Sequence, residues 1–501
     1  MELSGLLRGL TYEVLKGTIR KEIGKVTNDT RNVEERDVFV CIKGCRYDGH
    51  DFAGEALRRG ASVLVVQDEG YFIRWMKMLE FADELEDVTV VRVSDARYAL
   101  AMMSAGYYGY PAEKLKIIGV TGTKGKTTTA CIIQQLLKYA GHRTGLIGTV
   151  RIDTGNRILT NCNTTPESCQ IQAYFHEMVE AGCDSVVMEV SSQGLKLNRT
   201  AGIVFEVGIF TNLGRDHIGW GEHADFEEYL QCKHLLFLQS KVGIGNVDDP
   251  WYGEIFDRTG CERITYGLGR ADFRAENIQK ICDANYFGVR YQLNISGEAN
   301  MTVELPMPGD FNVYNSLAAI AAVKYFGVEN KIIRDGLGTL KIPGRMEQVA
   351  AWKDGAVFVD YAHNAMSLKS ILKMLREYTD GRIVVIFGCG GNRSKERRYE
   401  MGEVAGKYAD FAVITTDNPR YEEPKSIIKD ILIGIKKTDG QYLVIEDRKE
   451  AVRYVIENRK SGDVIVVAGK GHETYQEIRG VRYELDDRML IKEITCTQIL
   501  S

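Results

Sequence analysis

The sequence predicts an α/β protein of three domains: a small N-terminal α/β domain, a central P-loop ATPase-like domain on a parallel sheet, and a C-terminal Rossmann-like α/β domain. Three observations carry that expectation. At 501 residues the chain exceeds what one hydrophobic core supports. Short apolar runs alternate with helical stretches throughout, the pattern of parallel sheets covered by helices. A glycine-rich turn joins one such run to a helix near residue 122, as phosphate-binding loops do.

The first domain is assigned to residues 1–97. Residues 37–42 form a buried-strand run, residues 44–50 a turn-rich loop, residues 52–60 a helix and residues 61–66 a second strand. A further α/β piece closes at residues 88–93.

The second domain, residues 98–340, starts from strand 116–121 and the turn Gly122-Thr-Lys-Gly-Lys-Thr-Thr128. Backbone N–H groups of such a turn face phosphate oxygens, and the helix that follows adds its positive end. Gly122, Thr123, Lys124, Gly125, Lys126, Thr127 and Thr128 are therefore candidate ATP-binding residues. Lys126 would reach the terminal phosphates and the Thr127 hydroxyl would hold Mg²⁺. The spacing is G-x-x-G-K-T, shorter than the common G-x-x-x-x-G-K-[ST] form. Strand-like runs recur at 144–148, 185–190 and 204–210; residues 263–305 alternate in period two, as an antiparallel excursion would, and residues 312–326 read as a helix.

The third domain, residues 341–501, repeats the alternation with strands at 357–360, 383–387, 411–415 and 464–468. Several strands in both large domains end in polar residues, where α/β sites are built. Glu189 and Ser191 end one strand, and a carboxylate there suits Mg²⁺ beside the loop. His217 follows another and reads either as a metal or phosphate contact or as a structural hydrogen-bonder. Lys233 shares an apolar helical stretch, where a lysine usually snorkels to solvent; buried beside two metal ions it could instead be carbamylated into an anionic ligand. In the third domain Gly388-Cys-Gly-Gly-Asn-Arg393, Asp417-Asn-Pro-Arg420 and Gly469-Lys-Gly-His-Glu473 each follow a strand. Arg393 and Arg420 would take carboxylates and Glu473 an ammonium, which suits a zwitterion.

Composition narrows the class. Hydrophobic residues at 44% and charged residues at 27% describe an ordinary globular chain. A net charge of −5 without a basic stripe argues against nucleic acid as a partner. Eleven irregularly spaced cysteines fit a reduced compartment. The absence of signal-peptide design and of any long apolar run predicts a cytoplasmic protein without membrane insertion.

Taken together, these motifs resemble the Mur ligases, and within them the branch that adds diaminopimelate. The resemblance spans nearly the whole chain: Asp29-Thr-Arg31 and Asp48-Gly-His50 in the first domain; the glycine loop, Asn163-Thr-Thr-Pro166, Glu189-Val-Ser-Ser192 and Asp216-His217 in the second; Asp360-Tyr-Ala-His363, Asp417-Asn-Pro-Arg420 and Gly469-Lys-Gly-His-Glu473 in the third. It implies an ATP- and Mg²⁺-dependent amide ligase, a monomer, joining meso-diaminopimelate to UDP-N-acetylmuramoyl-L-Ala-D-Glu in peptidoglycan precursor synthesis. The implied roles are catalysis and metal binding by Lys126, Thr127, Glu189, His217 and a carbamylated Lys233 (N6-carboxylysine), and adenosine contacts by Asn315 and Arg345. Thr30, Thr164, Thr165, Ser191 and Arg199 would hold the nucleotide-sugar peptide. Arg393, Asp417, Asn418, Pro419, Arg420, Gly469 and Glu473 would hold diaminopimelate. The segment after His217 and the residues after Asn364 depart from the family pattern. A lysine-adding or other-acceptor ligase, or a silent binding paralogue, remains an alternative at this stage.

Overall fold

Runs of valine and isoleucine become interior strands because a parallel strand covered on both faces has no position for a solvated side chain. In the computed structural model, residues 1–45, 47–77, 87–161, 163–216, 218–219, 222–282, 286–352 and 355–499 are described. They form two compact units, one of Met1–Asp272 with Ala318–Val328, the other of Phe273–Leu317 with Glu329–Ser501.

The first unit holds two sheets. The N-terminal one comprises β1 (Tyr12–Lys16), β2 (Val26–Thr27), β3 (Val38–Val40), β4 (Val63–Val66) and β5 (Thr89–Val93), in the order β1-β5-β4-β3-β2. Strands β2 to β5 run parallel and β1 pairs antiparallel with β5. Helix α1 (Ala96–Tyr107) places Ala96, Ala99, Leu100 and Met103 in that sheet's core, and the Asp95 carboxylate caps it by accepting from Arg97 N and Tyr98 N.

The second sheet of this unit contains β6 (Lys116–Thr121), β7 (Thr144–Ile147), β8 (Ile152–Asp153), β9 (Ile158–Leu159), β10 (Ser185–Glu189), β11 (Phe205–Phe210), β12 (Ser240–Asn246) and β13 (Glu262–Gly267). Their order is β13-β12-β11-β6-β10-β7-β8-β9, parallel from β13 to β7. Helices α2 (Lys126–Tyr139), α3 (Ser168–Glu180) and α4 (Phe226–Leu238) cover it. Strand β6 sits between β10 and β11. The loop after β6 therefore opens between the loops that follow its two neighbours, the usual ligand position in such sheets.

The second unit begins with the antiparallel meander β14 (Phe273–Cys282), β15 (Phe287–Ile295) and β16 (Met301–Leu305). Burial along β16 alternates strictly, as its period-two sequence requires. After α5 (Asp310–Tyr325) come β17 (Glu347–Trp352), β18 (Gly355–Asp360), α6 (Ala365–Arg376), β19 (Ile383–Phe387), α7 (Lys395–Tyr408), β20 (Phe411–Ile414), α8 (Pro424–Ile435), β21 (Tyr442–Val444), α9 (Arg448–Glu457) and β22 (Val464–Ala468). A hairpin, β23 (Tyr475–Ile478) and β24 (Val481–Glu484), precedes α10 (Asp487–Ile499). The six-stranded order is β17-β18-β22-β19-β20-β21, parallel except for the edge strand β17. The loops after β18, β22, β19 and β20 thus leave one edge side by side.

That edge is braced from beneath by a buried ion pair. The Arg448 guanidinium donates to both carboxylate oxygens of Asp487, at 2.9 and 2.7 Å, and to the Ala468 carbonyl at 3.0 Å, with both side chains fully buried. It ties the starts of α9 and α10 to the end of β22. Removing one partner leaves the other charge buried and uncompensated, so D487A is expected to cost about 3–5 kcal/mol. Urea unfolding of the variant beside the wild type measures it.

Candidate active site

The loop after β6 is shaped by a glycine that tolerates no side chain. Gly122 has φ +148°, and a Cβ there would lie 1.9 Å from Thr211 Oγ1. Gly125 is left-handed at φ +87° and stands at the N-cap of α2. The loop is bolted to the strand end beside it: Thr211 Oγ1 donates to Lys124 O at 2.7 Å, and the Asn212 amide accepts from Lys124 N and donates to Lys124 O, both at 3.0 Å. Thr123 Oγ1 takes a hydrogen bond from Gly214 N at 2.9 Å and lies 3.0 Å from the Tyr229 hydroxyl. Thr127 and Thr128 are buried in the first turn of α2. Lys126 Nζ folds back onto the carbonyls of Gly122 (2.8 Å) and Thr123 (3.2 Å), while Lys124 Nζ pairs with Asp216 at 3.2 Å.

Glu189, at the end of β10, is the hub of this site. It is 1% exposed and accepts from Thr127 Oγ1 at 2.9 Å, Thr149 N at 2.7 Å and Thr149 Oγ1 at 3.1 Å. Thr149 Oγ1 lies 3.0 Å from Thr164 Oγ1, and Thr165 Oγ1 reaches Glu189 O at 2.9 Å and Ser191 Oγ at 3.1 Å. Arg199 donates to Thr165 O at 2.9 Å and pairs with Glu167. Sequence-distant Thr164, Thr165, Ser191 and Arg199 thus form one continuous network with the start of α2. Thr30 begins a 3₁₀ turn capped by Asp29, two residues from Asn28, whose amide oxygen accepts from Cys169 Sγ at 3.6 Å on α3.

Lys233 resolves in favour of burial. It is 1% exposed on α4, donates to Gly122 O at 2.9 Å and lies 4.5 Å from the centre of the Tyr229 ring. Burial, with Lys126 as a second cation nearby, holds its pKa well below the ordinary lysine value. His217 lies outside the described residues.

In the second unit, Asp417, Asn418, Pro419 and Arg420 follow β20. Arg420 is left-handed at φ +52°, a conformation unusual for a residue with a Cβ. The hairpin holds it there: Arg420 N donates to Glu477 O at 3.0 Å and Arg479 N donates to Arg420 O at 2.6 Å. Its guanidinium then reaches Gly391 O at 2.8 Å, with Glu477 3.6 Å from Nε. Asn418 donates to Glu473 Oε2 at 2.8 Å. Gly469 is left-handed, and a Cβ there would lie 2.5 Å from Asp417 Oδ2. Arg393 is exposed in the loop after β19. The structure therefore brings Asp417, Asn418, Arg420, Gly469 and Glu473 to one sheet edge. On the same edge Arg345 lies 5.0 Å from the Tyr361 ring, and His472 packs 5.1 Å from that ring. Asn315, on α5, donates to Asn312 Oδ1 at 3.2 Å.

Comparison with known proteins decides the family. Mur ligase domain profiles match residues 22–108 (catalytic domain), 120–323 (middle domain) and 344–471 (glutamate ligase domain). The UDP-N-acetylmuramoyl-L-alanyl-D-glutamate–2,6-diaminopimelate ligase of Clostridium perfringens is 41% identical over 503 residues, covering 99% of each chain. This chain belongs to the Mur ligase family. The enzyme of that name from Clostridioides difficile is 38% identical, over 98% of this chain and 99% of its own. Among solved structures, a ligase of that name superposes with TM-score 0.68 at 28% identity, covering 100% of this chain and 99% of the other. The MurF ligase of Thermotoga maritima in complex with ADP shares the fold at TM-score 0.59 and 19% identity, over 95% and 98% of the two chains.

Several residues of this Mur ligase site were not legible in sequence. Thr149 lies outside every motif yet supplies two of Glu189's hydrogen bonds. Tyr229 and Lys233 share one face of α4 at i, i+4, a spacing that could have flagged their pairing. Glu477 and Arg448 act through chain segments distant in sequence, and Lys470 joins its near neighbours Glu473 and Tyr475 to the distant Asn418. No group of three or more His, Cys, Asp or Glu able to hold a metal exists among the described residues.

Burial, with Arg345, Arg488 and Lys470 nearby, pushes the His472 imidazole down to about 4 from an ordinary value of 6.5. Between those values the unfolded chain binds a proton that the folded chain does not, so stability falls as pH falls through that window. H472Q is expected to lose less stability than the wild type between about pH 7 and pH 4.5, measured as the shift of the urea midpoint. Equal losses would clear His472 of any part in acid sensitivity.

Proposed function

We propose that this Mur ligase adds meso-2,6-diaminopimelate to UDP-N-acetylmuramoyl-L-alanyl-D-glutamate with ATP as the energy source, as a cytoplasmic monomer supplying peptidoglycan precursor synthesis. The observation that carries the acceptor is the sheet edge of the second unit, where the loops after β20 and β22 bring the Arg420 guanidinium and the hydrogen-bonded Asn418–Glu473 pair. Diaminopimelate has a second carboxylate that lysine lacks, and a planar guanidinium matches it in two parallel hydrogen bonds. We assign the nucleotide-sugar domain to residues 1–97, the ATP-binding domain to 98–340 and the acceptor domain to 341–501.

The loop 122–128 would cradle the phosphates of ATP, and Lys126 would leave its backbone carbonyls for the terminal phosphoryl group. The Thr127 hydroxyl and Glu189 carboxylate, 2.9 Å apart and buried, are hard oxygen donors that suit Mg²⁺ completed by phosphate oxygens. Bound there, the ion would offset phosphate charge. Thr164, Thr165, Ser191 and Arg199 would orient the D-glutamyl carboxylate. An oxygen of that carboxylate attacks the γ-phosphorus as the bond to the β-phosphate oxygen breaks, giving an acyl phosphate and ADP. With the acceptor's ammonium held by Glu473 and Asn418 and its carboxylate by Arg420, its other amine, in the neutral form, attacks the acyl carbon; phosphate leaves and the attacking nitrogen surrenders a proton, leaving the amide. Most of the acceleration comes from positioning and fixed charge. The depressed pKa of Lys233 favours the neutral amine, the form that adds carbon dioxide to give N6-carboxylysine. A ¹³C-carbamate resonance in protein equilibrated with labelled bicarbonate, absent from K233M, tests that modification.

Phosphate release tests the function. With ATP, Mg²⁺ and the nucleotide dipeptide, release is expected with meso-diaminopimelate and far less with lysine. R420A is expected to lower kcat/KM for diaminopimelate about 100-fold, and to affect lysine much less. A wild type that prefers lysine would overturn the acceptor assignment.

A further inference from the structure

The reading of the acceptor edge leaves one charged group without a role. Lys470 has no exposed surface, yet it sits among the residues proposed to grip the acceptor. Its Nζ donates to Asn418 Oδ1 at 3.1 Å, to Glu473 Oε2 at 3.1 Å and to the Tyr475 carbonyl. An ammonium has three N–H groups, and all three are used on segments that follow β20, follow β22 and open the hairpin.

We propose that Lys470 is the positioning residue of the acceptor site, setting the orientation of Asn418 and the free face of Glu473. The proposal rests on the reading that this edge binds the acceptor amino acid. Two features of the network carry it. First, Asn418 Oδ1 receives hydrogen bonds from Lys470 and from Glu477 N at 3.0 Å, both obligate donors. The amide therefore cannot flip, and its Nδ2 must face Glu473. Second, Glu473 Oε2 is doubly occupied, by Asn418 Nδ2 and Lys470 Nζ. That leaves Oε1 as the oxygen turned toward an incoming ammonium, with the Glu473 side chain 17% exposed. The buried cation also balances the carboxylate's charge in a low-dielectric setting. Lys470 touches no reacting atom in this scheme; it acts through its two partners.

Steady-state kinetics of K470M, which keeps the stem and deletes the ammonium, tests the idea. The wild type must first release phosphate in response to diaminopimelate; a wild type that does not would overturn the ligase reading itself. Given that response, K470M is expected to raise KM for diaminopimelate about tenfold or more, with KM for ATP and for the nucleotide dipeptide within about twofold. An unchanged KM for diaminopimelate, or equal losses for all three substrates, overturns the proposal. In K470M/E473Q the combined rise in KM is expected to fall short of the product of the single rises by about fivefold or more, because both act on one carboxylate. Simple multiplication overturns it. If K470M does not fold, K470R and K470Q replace it: the charged variant must lie nearer the wild type in KM for diaminopimelate, and the reverse order overturns the proposal.

Discussion

Residue 122 has to lack a side chain. A methyl group there would enter the Thr211 hydroxyl, and the backbone angle itself is one that residues with a Cβ rarely adopt. Because the position is glycine, the loop after β6 packs directly on the end of β11, where Thr211 and Asn212 grip Lys124 from side chain to backbone. The Gly122 carbonyl then becomes the shared acceptor of Lys126 and Lys233. Burial first, and then the nearby charge of Lys126, account for the depressed pKa of Lys233, and the shared carbonyl places both lysines at the glycine-rich loop.

Glu189 extends the same constraint toward the peptide substrate. As the last residue of an interior strand, its side chain is buried, and a buried polar group needs hydrogen-bond partners. Thr127 and Thr149 provide them, and Thr149 links onward to Thr164. One carboxylate thereby couples the phosphate loop to the proposed nucleotide-peptide site. The acceptor edge follows a parallel logic with the charges reversed in depth: a buried lysine and a buried arginine lie beneath polar loops and hold them from below.

The alternation of strands and helices was readable because interior parallel strands are apolar end to end. The runs 383–387 and 464–468 coincide with β19 and β22, and period-two alternation foretold the meander β14–β16 from residue 273. Residues 263–267, read as part of that antiparallel excursion, belong instead to β13, which pairs parallel with β12. Strand ends were less legible. The run at residues 37–42 became the three-residue strand β3, since pairing with β4 and not hydrophobicity sets where a strand stops. Candidate site residues on glycine-bearing or strand-end motifs could be named for the same local reason. The contacts of Thr149, Tyr229, Lys470 and Glu477 were not readable, because each includes a partner far along the chain.

By itself the sequence determined the α/β class, the glycine-rich turn between β6 and α2 and the family, since glycine placement, strand periodicity and motif spacing are local properties. Only the tertiary structure decided the state of Lys233. A lysine on an apolar helical stretch either snorkels or is buried, and the choice depends on whether neighbouring strands leave it a path to water; here Gly122 and Tyr229 close that path. The same holds for Arg420, whose left-handed backbone is imposed by the hairpin β23–β24 pairing with it from about 60 residues away.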